Sequence, residues 1–149
     1  MLSKAILHSH CLTLLQDKIS RLQEMINDAQ QAASDDTKSS AGDKFETGRE
    51  MMKREIDKYN LQLAEAEKQH RFLKQLTPAK TSDTIGPGSL VETPEGVYYF
   101  SVPLGKLTVE GESCFALSLV APIGKALKGR KEGETISFMG RQILIKALY

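Results

Sequence analysis

The stretch "DDTKSSAGDKFETGRE", residues 35–50, crowds five carboxylates (Asp35, Asp36, Asp43, Glu46 and Glu50) around a small, turn-forming "SSAG" run. Whether the chain runs straight through it or reverses in it decides the fold, because both flanks carry helical patterning. Upstream, Leu12, Leu15, Ile19, Leu22, Ile26, Ala29 and Ala33 recur at steps of three and four, the spacing of one helical face. Downstream, Phe45, Met52, Ile56, Tyr59, Leu63, Ala66, His70 and Leu73 continue at heptad spacing, broken by Arg49 near the turn. No proline precedes Leu76, and the only glycines before it, Gly42 and Gly48, lie at or just after the turn. Two seams joined by a short polar loop predict an antiparallel helical hairpin. If Ala33 faces Phe45, the pairing places Ile26 by Met52, Ile19 by Tyr59, Leu12 by Ala66 and His8 by His70. Arms of about 30 residues would be roughly 45 Å long at 1.5 Å per residue. Such a hairpin buries too little surface to stand alone.

The turn itself admits two local readings. Asp43 with Glu46 three residues on fits a capping box, in which the acids satisfy free backbone N–H groups at a helix start. The same two carboxylates project from neighbouring points of a helix, and oxygen ligands suit Mg²⁺, so they also fit a metal-holding tip. The two roles are compatible.

After Leu76 the pattern changes. "TPAKTSDTIGPG", residues 77–88, ends the second helix at Pro78 and gathers Thr, Ser, Asp, Gly and Pro, the composition of a junction. Beyond it, "SLVET", "GVYYFSV", "CFALSLVA", "ETISF" and "QILIKAL" are short, rich in β-branched and aromatic residues, and separated by turn signals such as "PEG" and "KEGE". "APIGKALKG" interrupts them as a short helix, with Pro122 suited to a first helical position and Gly129 to a helix stop. The expected fold class is α+β: a coiled-coil hairpin over residues 1–77, a junction at 78–88, and a small antiparallel sheet with one short helix over 89–149.

Composition narrows the function classes. A charged fraction of 26% beside 40% hydrophobic residues is that of a soluble protein. No apolar run approaches the ~20 residues of a membrane span, and the opening "MLSKAILHSH" has no secretory pattern, so no membrane partner and a cytoplasmic location are expected. Cys11 and Cys114 fall in different expected domains and form no CxxC pair, which predicts reduced thiols. His8, His10, Cys11 and His70 could meet at the hairpin base. Their spacing fits no standard zinc site, and a polar layer setting the register of the seam is the simpler expectation. With 20 Lys+Arg against 19 Asp+Glu the chain carries no basic excess, so autonomous duplex DNA binding is not expected.

A helical hairpin with an acidic tip, a junction, and a small α+β domain containing "APIGKALKGRKEGETISF" resemble the Gre-type transcript cleavage factors of bacterial RNA polymerase, over nearly the whole chain. The most specific match is Pro122, Ile123, Gly124, Lys125, Ala126, Leu127 and Gly129, followed by Gly133. The second is "GDKFET" at the tip, Gly42 to Thr47, where Asp43 and Glu46 fall in register with the family's acids. The resemblance implies an FKBP-like C-terminal domain that docks on RNA polymerase, with Pro122, Ile123, Lys125 and Lys128 as candidate partner-binding residues. It further implies a hairpin entering the secondary channel, where Asp43 and Glu46 are the catalytic and metal-positioning candidates. They would share Mg²⁺ with the polymerase, so that the polymerase's own active site hydrolyses backtracked nascent RNA. The protein would then be an accessory factor, with no cofactor of its own. The sequence departs from the family at Phe45 and Thr47, and this leaves a channel-binding regulator without cleavage activity as the alternative. Asp35 and Asp36 match no motif position. Without the resemblance, Lys125, Lys128, Arg130 and Lys131 read as a solvated face. An FKBP-like fold also raises prolyl isomerase activity, but the aromatics Tyr98, Tyr99, Phe100, Phe115, Phe138 and Tyr149 are scattered and read as core, so that activity is not expected.

Overall fold

The computed structural model describes the backbone of residues 2–38 and 42–149, and the side chains of residues 2–35 and 48–149. The chain divides into two compact units: a hairpin unit, Thr13–His70, and a sheet unit made of Met1–Leu12 together with Arg71–Tyr149.

Helix α1 spans Lys4–Lys38 and α2 spans Gly42–Gln75. Helix α1 starts at Ser3, whose Oγ accepts the Ile6 N–H at 3.3 Å while its carbonyl accepts the Leu7 N–H at 2.9 Å. A serine in that position satisfies one of the donors left over at a helix start. Helix α2 closes on a tight last turn, Leu76 N–H donating to Leu73 O at 3.1 Å, two residues before Pro78.

Within the hairpin unit Ile19, Leu22 and Ala66 are buried together, with Tyr59 and Leu63 packed on them. The seam expected on α2 holds: Met52, Ile56, Tyr59, Leu63 and Ala66 all turn inward, while Arg49 is exposed. On α1 the inward line differs from the expected one near its start. Leu7, Cys11, Leu15, Ile19, Leu22 and Ile26 are the buried apolar residues, and Leu12 is only half-buried. Ala66 accordingly packs with Ile19 and Leu22 rather than with Leu12. Each step of four overshoots a full turn by about 40°, so the buried line rotates by about 120° around α1 between Leu7 and Ile19. The physical reason is that α1 begins in one unit, among the residues of the sheet, and continues in the other beside α2.

The sheet unit carries β1 (Leu90–Thr93), β2 (Gly96–Phe100), β3 (Gly105–Val109), β4 (Glu112–Leu117), α3 (Pro122–Leu127), β5 (Thr135–Phe138), β6 (Arg141–Leu144) and β7 (Ala147–Leu148). Its main sheet has the order β3-β4-β2-β1-β7, and β5 pairs with β6 in a separate ladder. Pairing is antiparallel except between β2 and β4, which run parallel. The exception follows from β3, a strand absent from the expected set although "KLTV" alternates polar and apolar residues. It takes the sheet edge and hands the chain back through the tight Glu110–Gly111 turn, both residues at positive φ, so β4 returns in the direction of β2. "QILIKAL" is not one strand either. Its first part completes the β5–β6 ladder; Ile145, fully buried, then leads the chain across to pair with β1.

The two faces of the main sheet are covered differently. On one, Val91, Phe100 and Leu127 join Ile85, Ile136, Ile143 and Ile145 in the core. On the other, Tyr99 and Cys114 are buried together with the start of α1. Ile85 is informative because it lies in the segment whose composition reads as a junction. It is buried, its N–H donates to Arg130 O at 2.9 Å, and its carbonyl accepts the Gly129 N–H at 2.8 Å. Turn-rich composition reports local backbone geometry and says nothing about what packs on the segment.

Candidate functional site

The expected metal-positioning acids, Asp43 and Glu46, are the second and fifth residues of α2. Three residues apart, they occupy neighbouring positions on the helix surface. Their side chains lie outside the described residues, as do those of Asp36, Phe45 and Thr47. Asp35 and Glu50, the described acids nearest the turn, are exposed.

The second candidate element is α3, whose residues divide by face. Ala121 precedes it with extended backbone (φ −63°, ψ 154°) and no side-chain cap, so the helix start rests on Pro122, whose fixed φ is already helical and whose missing N–H has no intrahelical partner to lose. Ile123 and Ala126 pack on the core, and Gly124 and Leu127 are buried. A Cβ at Gly124 would stand 2.6 Å from Ser118 O and 2.7 Å from both Leu119 Cα and Leu119 O. That position admits glycine alone without movement of the backbone. Pro122, Lys125 and Lys128, stepping by three, are exposed, and Arg130 and Lys131 continue the exposed basic run. Of the four residues expected to meet a partner, Pro122, Lys125 and Lys128 are therefore presented outward, while Ile123 is half-buried against the core.

A third cluster was not legible in the sequence. His8 does not form a polar layer with a residue of α2. Its Nδ1 lies 2.7 Å from the Tyr99 hydroxyl of β2, the two rings edge to face with centroids 6.2 Å apart. Tyr99, Cys11 and Cys114 are fully buried around this contact. Burial, reinforced by the Lys4 charge, holds the His8 imidazole below its ordinary pKa, and burial also raises the Tyr99 phenol. The thiols move the same way: Cys11 is pushed up to about 11 and Cys114 to about 12, mainly by burial. A neutral imidazole paired with a neutral phenol and flanked by protonated thiols makes a buried polar latch. Among the described residues no three His, Cys, Asp or Glu side chains are grouped to hold a metal ion. The only sequence signal for the latch is the four-residue step Leu7–Cys11–Leu15, which sets the inward line through Cys11 in place of Leu12.

The described geometry defines an α+β protein with a helical hairpin and a small, strand-rich unit. No family model matches the chain, and no curated protein matches it. Among solved structures, that of the transcription factor Gfh1 is similar over 93% of this chain and 92% of that one, with 20% identity and a TM-score of 0.36. A likeness at that level decides nothing about function.

Proposed function

We propose that the protein is an accessory factor of RNA polymerase that carries its hairpin into the secondary channel and stimulates cleavage of backtracked RNA. The supporting observation is a coincidence of two motifs at a distance in the sequence. "GDKFET" falls where the chain passes from α1 to α2, and "APIGKALKG" supplies an exposed face of Pro122, Lys125 and Lys128 on a helix whose other residues are committed to packing. In this proposal the outer face of α3 contacts the polymerase, and Asp43 and Glu46 act inside it.

The donor set suits Mg²⁺, since two carboxylates on adjacent points of a helix offer the hard oxygens it prefers. They fill at most part of an octahedral shell, so the remaining oxygens would come from the polymerase and from water. Bound there, Mg²⁺ would supply polarisation of a water toward hydroxide. The work of this chain is to hold two negative charges in place, which the i, i+3 spacing does without a further ligand.

A stalled, backtracked polymerase complex incubated with the protein and Mg²⁺ should release short 3′ RNA fragments. Asp43→Asn with Glu46→Gln should abolish release while leaving polymerase binding within about twofold, because both acids lie far along the chain from the α3 face. Cleavage by the double variant at the parent's rate would refute the role of the acids. Phe45 and Thr47 support a second reading, that of a channel-binding regulator. Binding that alters initiation or pausing with no RNA fragment released would select it.

A further inference from the structure

The register of the sheet lines up one residue from each strand: Leu148, Val91, Tyr98, Phe115 and Lys106 are successive cross-strand partners through β7, β1, β2, β4 and β3. Directly opposed residues share a sheet face, so this row runs from buried to open along one surface. Val91 is fully buried, and Leu148 and Tyr98 pack on the core. Phe115 and Lys106 lie beyond that core: Phe115 is half-buried beside Tyr98, with ring centroids 6.0 Å apart, and Lys106 is exposed on the edge strand. The neighbouring partners on the same face, Thr108 and Ser113, are also exposed. At the other end of the aromatic pair, Arg141 reaches Glu95 at 3.3 Å through Nη1; the Tyr98 phenol is raised by burial and then by the Glu95 charge, which the Arg141 charge opposes. Its guanidinium, 59% exposed, keeps further N–H donors for a second acceptor.

We propose that this open end of the sheet, Tyr98 and Phe115 flanked by Lys106 and Arg141, is a weak docking site for single-stranded nucleic acid. Each part of the surface fits one part of that ligand. The half-buried Phe115 ring at the edge of the core, with Tyr98 beside it, offers a stacking surface that every base can use whatever its identity. Cations on either side of the rings match the phosphates that precede and follow a stacked base, and the Thr108 and Ser113 hydroxyls suit sugar and phosphate oxygens. A duplex does not fit, because its bases are already stacked and the chain as a whole has a formal charge of only +1. The site lies within the sheet unit and is independent of the proposal for the tip acids.

Fluorescence anisotropy with the full-length protein, without polymerase, tests it. The probes are oligouridylate and oligothymidylate of about eight nucleotides, and a duplex of the same length. Saturable binding of either single strand at low salt, weakening as salt rises, is the expected result. Binding of RNA alone or of DNA alone would identify the preferred sugar and support the site equally. Phe115→Leu should weaken binding at least about fivefold with the fold retained. Lys106→Ser should reduce the slope of log K against log salt by about 0.7, the value for one phosphate on a single strand. No saturable binding, equal binding of the duplex, or Phe115→Leu binding as the parent does would overturn the proposal. If Phe115→Leu fails to fold, Lys106→Ser decides, and an unchanged salt slope overturns it.

Discussion

Gly124→Ala opposes two effects of known size. In a helix interior, replacing glycine by alanine ordinarily stabilises by about 0.5–1 kcal/mol, because the unfolded chain has less freedom to lose. Here the new methyl would meet Ser118 O at 2.6 Å and Leu119 Cα and O at 2.7 Å, all backbone atoms of the segment entering α3. None can rotate away as the tip of a side chain would, so α3 or residues 118–119 must shift, and overpacking of that kind costs about 1–3 kcal/mol. The clash wins by about 1–2 kcal/mol. For the sheet unit, about 90 residues, that is a drop in Tm of roughly 5–15 °C. The assay is thermal unfolding followed by near-ultraviolet circular dichroism, since Tyr98, Tyr99 and Tyr149 all lie in this unit. Gly48→Ala provides the internal control: Gly48 is within α2 and a Cβ there meets nothing within 4 Å, so the same substitution should stabilise the hairpin unit by about 0.5–1 kcal/mol. A Gly124→Ala protein as stable as the parent would refute the packing account. The motif glycine would then have to be explained by contact with a partner.

Two further outcomes follow from the latch. His8 has a folded-state pKa below its ordinary 6.5, so the unfolded chain binds the proton more readily; stability is full above pH 6.5 and is lost as the pH falls below it, and His8→Gln should flatten the fall in Tm between about pH 7 and 5. Thiol titration with a disulfide reagent at pH 8 should find Cys11 and Cys114, both fully buried, unreactive in the folded protein and fully reactive in denaturant, whereas rapid labelling of the native chain would mean the start of α1 opens from the sheet.

The helical hairpin was legible because its determinants are local. The inward line of α2, from Met52 to Leu73, is a periodicity in neighbouring residues, and the α3 boundaries follow from Pro122 and the glycine after Lys128, each acting through its own backbone angles. The grouping of Asp43 with Glu46 is equally local, being no more than helical spacing. The remaining features depend on partners far away in the chain. Nothing near Cys11 marks it above Leu12 as the inward residue; that choice is made by a sheet about 90 residues further on. His8 finds Tyr99 and not His70 for the same reason. The parallel pairing of β2 with β4 needs β3 at the edge, and the burial of Ile85 needs the turn at Gly129 and Arg130. Gly124 looks like a weak helix residue until Ser118 and Leu119 are brought against it. The row from Leu148 to Lys106 draws one residue from each strand of the main sheet, so it exists only once the register is set. Periodicity and turn chemistry are written in adjacent residues, whereas burial, register and close approach are properties of pairs that folding alone brings together.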